Sequence, residues 1–210
     1  MREYMEGMVD KSKPPLYAWI VLATSIIAVS SAGAVFQMID SVPPLLRASW
    51  RLQATALILF PLAIVQFNQL DGDSISRVFK KDNLALILFS GVCLWLHFGS
   101  WVWSLYHTSL AHSLLFVTAH PLIIVAGMVC IRIAPHRWEI WGAILGVCGA
   151  ILAIQDAGSG PVTLIGDAEA FLGAIAIVGY LAAGRVLRGE KKMPLFLYAF
   201  PVTFIAAILL

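Results

Sequence analysis

The sequence predicts an all-α fold, a polytopic transmembrane helix bundle with an inverted five-helix repeat that is truncated in the second repeat. Three observations predict it: seven long apolar runs, Lys and Arg residues that cluster in alternate gaps between those runs, and a similarity between the beginning and the end of the chain. Of the 210 residues, 60% are hydrophobic and 12% are charged, whereas soluble globular domains carry about 25% charged residues. A soluble core could not bury this much apolar surface, so lipid is the expected solvent.

Most of the first six apolar runs meet or approach the length of about 20 residues that a membrane-crossing helix needs. The first run exceeds the about 7 to 15 apolar residues of a signal peptide, so we expect a helix and not a cleaved leader. Between the second and third runs, residues 71–74 are turn-forming, which predicts a surface loop. The seventh run stops at Leu210, so the sequence is expected to be part of a longer protein. The runs cover residues 17–38, 45–66, 84–105, 109–131, 138–155, 168–187 and 195–210.

Cations occur before the first run and in the gaps after the second, fourth and sixth runs, while the other three gaps contain none. The positive-inside rule therefore predicts a multi-pass integral protein of a plasma or inner membrane, with its N-terminus in the cytoplasm. The cations that follow this alternation are Arg2, Lys11, Lys13, Arg77, Lys80, Lys81, Arg132, Arg137, Arg185, Arg188, Lys191 and Lys192.

A shift of the chain by 151 residues aligns residues 23–59 with residues 174–210 without a gap. Ala32-Gly33 then falls on Ala183-Gly184, and Pro43 falls on Pro194. An odd number of runs separates the two copies, so they cross the membrane in opposite directions, as in many secondary transporters. The predicted organisation is a cytoplasmic segment 1–16, a five-helix repeat 17–157 and an incomplete second repeat 158–210, which about three further helices would complete.

Three segments resemble an EamA domain of the drug/metabolite transporter superfamily: Val42-Pro43-Pro44-Leu45-Leu46-Arg47-Ala48, Tyr106-His107-Thr108-Ser109-Leu110-Ala111, and Trp141-Gly142 to Gly149. The chain from Gly166, with Gly173 and Arg185, resembles the opening of a second such domain. The resemblance implies a carrier that moves small polar metabolites, such as amino acids or nucleobases, by alternating access. It implies a small-molecule substrate and the lipid bilayer as partners, without selecting a particular substrate.

Polar side chains inside the apolar runs are the candidate substrate-binding residues, because such groups are costly at membrane depth and usually face a cavity or a partner. His120 lies near the centre of the fourth run, next to Pro121, whose ring frees a backbone carbonyl one turn earlier. Its position is typical either of a transport pathway or of a packing hydrogen bond. His112 and Ser113 lie about two turns further outward.

His97 and Trp101 are four residues apart in the third run and share a helix face, where they could form an aromatic wall. Arg47 is expected to extend to the outer interface, whereas Arg51, about one turn deeper, is expected to have a buried partner. Gln37 and Tyr180 complete the predicted substrate-binding set.

Enzymatic function finds no support, since the sequence has no catalytic triad pattern, phosphate-binding glycine loop or metal-ligand spacing. We therefore expect no cofactor and no metal. A net charge of +2, without a basic stripe, predicts no nucleic acid partner. Gly142, Gly146 and Ala150 form a small-residue ridge that serves helix crossing or a homodimer equally well. Two alternative functions remain open, a seven-helix receptor-like protein and a non-transporting truncated membrane protein.

Overall fold

The computed structural model describes residues 15–39, 41–155 and 162–210, with the side chains of Phe36, Gln37, Ala150 and residues 153–155 outside the description. The described part is helical and contains no strand, as predicted. The helices are α1 (Leu16–Met38), α2 (Pro44–Asn68), α3 (Gly72–Val78), α4 (Lys81–Ser104), α5 (Leu110–Val117), α6 (His120–Cys130), α7 (Arg137–Gln155), α8 (Leu164–Gly184) and α9 (Leu195–Leu209), with a π-helical segment, Arg185–Glu190, after α8.

Five helical segments of the described chain are long and apolar enough to cross a membrane: Leu16–Val35, Pro44–Asn68, Lys81–Ser104, Leu110–Cys130 and Leu164–Glu190. Helix α9 is a shorter apolar helix, and α7 coincides with the fifth predicted run. Most large apolar side chains on these helices are exposed. An exposed apolar surface of this extent suits lipid as the solvent and confirms the predicted polytopic helix bundle.

The chain forms two compact units, and the first contains α1. Apolar side chains such as Trp19, Ile27 and Val29 are exposed along this helix. Its two hydroxyl side chains are satisfied within the helix, since Thr24 donates to the Ile20 carbonyl and Ser31 to the Ala28 carbonyl. A helix in lipid must satisfy its polar groups internally, so α1 is suited to lipid contact along its length.

The second unit, Ile39–Leu210, is built around α4, which packs against α8 and α9. Small residues allow the close crossings. A Cβ atom added at Gly91 would lie 2.7 Å from Ile205 of α9, and one added at Gly179 would lie 2.8 Å from the sulfur of Cys93. Helices in lipid associate through such close packing, because burial from water does not drive their contact.

Helices α2 and α9, which the internal similarity relates to each other, pack against one another in opposite directions. The Ser49 hydroxyl near the start of α2 donates to the Ala207 carbonyl near the end of α9, and Gln66 near the end of α2 accepts from the Phe196 amide near the start of α9. Both helices begin after a proline with nearly the same backbone angles, Pro43 at φ −54 and ψ 142 and Pro194 at φ −60 and ψ 147. Contact between antiparallel helices of similar sequence is the arrangement that an inverted repeat predicts.

The ends of this unit differ in charge, and we name them accordingly. At the basic end, residues 69–83 meet residues 185–194: Lys191 donates to the Asn83 side chain over 2.6 Å, and Asn83 donates to the Arg77 carbonyl over 2.6 Å. At the acidic end, residues 105–109 meet the start of α8, where Asp167 and Glu169 lie.

Two connections differ from the sequence-based expectation. The predicted surface loop after α2 contains the short helix α3, because Asp71 caps its first turn by accepting from the Ser74 amide. The sixth run begins four residues earlier than predicted, at Leu164, because the Thr163 hydroxyl caps that helix by accepting from the Gly166 amide. In both cases a local side-chain cap decides the helix start, and hydrophobicity does not report it.

The fourth run is divided near its middle. Helix α5 ends at Val117 and α6 begins at His120, so the path of the backbone changes within the segment long enough to cross the membrane. The Thr118 hydroxyl lies 2.6 Å from the Leu114 carbonyl, which also accepts from the Thr118 amide, and 3.2 Å from the Leu115 carbonyl. The Ala119 amide donates to Phe116 instead of Leu115, so this hydroxyl approaches a carbonyl that the break deprives of its helical donor. Irregular backbone at membrane depth is tolerated only where it lies within protein or lines a cavity.

Candidate functional site

Four predicted site residues approach one another in the half of the second unit nearer the acidic end. We define the central cluster as Arg51 of α2, His97, Phe98 and Trp101 of α4, and His120 of α6. The His97 and Trp101 rings are nearly parallel, with centroids 6.3 Å apart and 19° between their planes. The Arg51 guanidinium lies 5.1 Å from the centre of the Phe98 ring, a typical cation–π distance.

His97 connects the central cluster to α8. Its Nδ1 atom lies 2.9 Å from the Gly173 carbonyl oxygen, and a carbonyl only accepts, so Nδ1 carries the hydrogen. Gly173 makes this contact possible, because a Cβ atom there would lie 3.1 Å from the Ser100 hydroxyl and 3.3 Å from the His97 carbonyl. With Nδ1 engaged, the chemistry of the ring leaves Nε2 as an acceptor for a ligand.

His120 lies at the break between α5 and α6. Its Nδ1 atom is 3.3 Å from the Val117 carbonyl oxygen, the carbonyl that loses its helical donor because Pro121 has no N–H. His120 also lies close enough to His97 to interact with it electrostatically. It is therefore both a partner for freed backbone and a neighbour of the central cluster.

Arg47 does not extend to the outer interface as expected. Its side chain is buried, with 5% exposure, because Nε donates to the Val42 carbonyl over 2.6 Å and the guanidinium lies 5.2 Å from the centre of the Tyr106 ring. The guanidinium thus folds back over the start of α2 and connects that helix to the residues after α4.

His112 and Ser113 lie nearer the acidic end than the central cluster. His112 donates through Nδ1 to an Asp167 carboxylate oxygen over 3.2 Å. Ser113 is fully buried and shares a 2.6 Å hydrogen bond with Ser104, whose hydroxyl also bonds the Trp101 carbonyl. A continuous chain of hydrogen bonds therefore joins α5 to the helix that carries the central cluster.

Tyr180 lies apart from the central cluster. Tyr180 is seven residues beyond Gly173 on α8, about 10 Å closer to the basic end, where its ring centroid is 6.1 Å from that of Tyr198. Tyr198 in turn hydrogen bonds Ser90 over 2.7 Å. The side chain of Gln37 lies outside the described residues.

Sequence reasoning missed the carboxylates of the acidic end. Asp167 and Glu169 stand at the edge of the sixth run and were not considered for the site, yet they bond His112 and His107. One signal was available in the sequence. Asp167 and Glu169 follow one gap, His107 and His112 lie around another, and the cation alternation assigns both gaps to the outer side. Phe98 and Gly173 carried no comparable signal, because only the packing of α2 and α8 against α4 reveals them.

The central cluster offers hydrogen-bonding nitrogens, a guanidinium and flat aromatic faces within apolar helices. These groups suit the binding of a small polar or planar molecule, in which aromatic faces pack and a few polar groups fix orientation. Among the described residues, no group of three or more His, Cys, Asp or Glu side chains could hold a metal ion.

The fold defines a multi-pass helical membrane protein, in which the central cluster brings polar and aromatic side chains together among the helices. Residues 15–155 match the sequence profile of the EamA-like transporter family, and this match covers more than half of the chain. The chain belongs to the EamA-like transporter family, which points to transport and not to enzymatic catalysis. Neither the comparison with curated proteins nor that with solved structures gave a match.

Proposed function

We propose that this protein carries a small polar metabolite, such as an amino acid or a nucleobase, across the membrane by alternating access. The observation that supports the proposal is the central cluster beside the broken fourth span. Arg51, His97 and His120 bring polar groups from three different spans to one region. Ionisable groups within membrane spans are costly and mark substrate or ion pathways by default.

The antiparallel packing of α2 and α9 supports the alternating-access part of the proposal. Transporters with inverted repeats bind substrate near the repeat interface and expose it by rocking one repeat against the other. Here the two helices that the internal similarity relates lie in contact, and Arg51 and Gln66 project from one of them. Hydrogen bonds close both the acidic and the basic end, and alternating access requires these contacts to open in turn.

The proposed orientation places the N-terminus and the basic end in the cytoplasm of a plasma or inner membrane. Cations flank membrane spans preferentially on the cytoplasmic side, and hydrogen bonds bring Arg77, Lys80 and Lys191 together at this end. The acidic end would then face outward and receive substrate from outside or release it there.

Uptake by the purified chain in proteoliposomes tests the proposal. The assay uses radiolabelled amino acids and nucleobases as probes and compares Trp101→Phe with Trp50→Phe. Trp101 is 7% exposed in the central cluster, whereas Trp50, next to Arg51 in sequence, is 53% exposed. We expect uptake of at least one probe above protein-free vesicles, a loss of about tenfold or more in Trp101→Phe, and wild-type uptake in Trp50→Phe.

Two results would overturn the proposal. One is a folded protein that takes up no probe above protein-free vesicles. The other is a Trp101→Phe variant that transports as well as Trp50→Phe, which would remove the central cluster from the pathway.

A further inference from the structure

At the acidic end, one carboxylate accepts hydrogen bonds from two different elements. Asp167, in the first turn of α8, accepts from the Thr108 hydroxyl over 2.7 Å through Oδ1 and from His112 Nδ1 over 3.2 Å through Oδ2. Thr108 follows α4, and His112 belongs to α5. Asp167 lies in the first turn of its helix, a position that suits an acidic side chain.

A second histidine–carboxylate pair, His107 and Glu169, also joins the loop at residues 105–109 to α8. His107 Nδ1 lies 3.1 Å from Glu169 Oε2 and 3.1 Å from the Trp103 carbonyl oxygen. Since the carbonyl can only accept, Nδ1 carries the hydrogen and donates to both oxygens. The Thr163 hydroxyl donates to the His107 carbonyl, so side chains on α8 and its cap bind the loop at both its backbone and its imidazole.

The contact is close, and hydrogen bonds link the neighbouring buried residues to the central cluster. A Cβ atom at Gly166 would lie 2.7 Å from the backbone of both His107 and Thr108, so glycine lets α8 touch the loop directly. Behind this contact lie Ser104 and Ser113, both fully buried, and Ser104 bonds the carbonyl of Trp101.

We propose that the two histidine–carboxylate pairs, His107–Glu169 and His112–Asp167, form a pH-sensitive latch that closes the acidic end of the transport pathway. This inference rests on the proposed transport function, because a latch matters only if that end opens. The side chains of His112 and Asp167 are 27% and 13% exposed, so their pairing is only partly screened by solvent.

The direction of the pH response follows from the charges. Histidine is the side chain that ordinarily gains its proton as the pH falls from about 8 to 5. When the imidazole of a histidine–carboxylate pair is protonated, the neutral hydrogen bond becomes a charge-assisted one, which is stronger. The latch is therefore tightest in mild acid and loosest at alkaline pH.

Within the described chain, the titratable and charged groups of the neighbouring elements are the following. The loop after α4 contributes His107 and Tyr106, and α5 contributes His112. His97 of α4 and His120 of α6 lie deeper, in the central cluster, and on α7 Arg137 and Glu139 lie in its first turn. The Arg47 guanidinium of α2 lies over the Tyr106 ring at the same end.

Thiol accessibility tests the latch without any substrate. Ser113→Cys is placed in a background with Cys93, Cys130 and Cys148 changed to Ala, and the protein in vesicles is labelled with a membrane-impermeant maleimide at pH 6 and pH 8. The same cysteine is placed in a His107→Gln, His112→Gln background, so that the pH dependence of the thiol itself cancels. Val162→Cys, exposed at the acidic end, serves as the reference for reagent reactivity.

We expect the labelling rate to rise between pH 6 and 8 by about threefold to tenfold more with the histidines than without them, as suits two partly exposed ion pairs. Asp167→Asn should label rapidly at both pH values. Identical pH profiles with and without the histidines would overturn the latch. If Ser113→Cys does not fold, Ser104→Cys reports on the same buried position.

The outcomes separate the latch from the transport function. Identical profiles in a protein that takes up probes would contradict the latch and leave transport standing. A histidine-dependent profile in a protein that takes up no probe would contradict transport while supporting the pH-dependent contact.

Discussion

At the residue scale, polar side chains within the spans form hydrogen bonds with backbone carbonyls. His120 shows this most clearly, because its Nδ1 atom lies 3.3 Å from the carbonyl that Pro121 deprives of a donor. The sequence placed the two residues side by side and left two roles open for the histidine. The structure supports the packing role through the hydrogen bond to Val117, and it also places His120 close enough to His97 to interact with it electrostatically.

A double-mutant cycle on His120 and Pro121 tests the packing role. His120→Leu should lower the free energy of unfolding by about 1 to 3 kcal/mol, since the Val117 carbonyl loses its donor within the protein. In a Pro121→Ala background the restored backbone N–H can donate instead, so the same change should cost much less. Thermal unfolding in detergent measures both differences. Equal costs in the two backgrounds would show that His120 does not replace the donor missing at Pro121.

Asn83 likewise forms hydrogen bonds with groups of neighbouring segments at the basic end. It is 5% exposed, donates to the Arg77 carbonyl and accepts from Lys191. We expect Asn83→Ala to destabilise the protein by about 1 to 3 kcal/mol, because the hydrogen bonds of the buried Asn83 side chain to the Arg77 carbonyl and to Lys191 are both lost. Lys81→Ala, an exposed neighbour, should change stability by less than about 0.5 kcal/mol. Chemical unfolding curves of the two variants measure this difference in the free energy of unfolding. Equal stabilities would show that the hydrogen bonds of Asn83 do not stabilise the fold.

At the element scale, hydrophobicity predicted where helices lie but not where they begin or break. The apolar runs coincide with α1, α2, α4, α7 and α9 to within a few residues. The break at Thr118 lies inside an uninterrupted apolar run, where only the neighbouring His120-Pro121 pair indicated irregular backbone. The early start of α8 depends on the cap at Thr163, a local hydrogen bond that an average over apolar residues cannot register.

A substitution at Gly166 tests how closely α8 must approach the loop at the acidic end. A methyl group there would meet backbone atoms of His107 and Thr108 at 2.7 Å, and backbone cannot turn aside as a flexible side chain can. Gly166→Ala should therefore destabilise the protein by about 1 to 3 kcal/mol through overpacking. Gly127→Ala, also within a helix but with no atom within 4 Å of the added carbon, should be neutral or stabilising. A melting temperature for Gly166→Ala at or above that of Gly127→Ala would contradict this contact.

At the scale of the whole molecule, the charge pattern and the internal similarity carried the prediction further than any single motif. Cations assigned to one side by alternation, such as Arg77 and Lys191, do meet at one end of the second unit through Asn83. The central cluster was predicted only in part, because its residues come from three separate spans: Arg51 from α2, His97 and Trp101 from α4, and His120 from α6. Their convergence depends on how α2 packs against α4 and how α6 packs against α8, and a single sequence does not encode that packing in any local pattern.

The topology itself yields the last prediction. In a background without native cysteines, Ser76→Cys and Gly189→Cys should label only from the cytoplasmic side, because both lie among the cations of the basic end. Ser41→Cys, just before α2 at the opposite end, should label only from outside. Right-side-out and inverted vesicles treated with an impermeant maleimide give the two readings. Reversal at all three positions would invert the proposed orientation. Labelling of Ser76→Cys and Gly189→Cys from opposite sides would contradict the contact between the two segments and the number of spans that separates them.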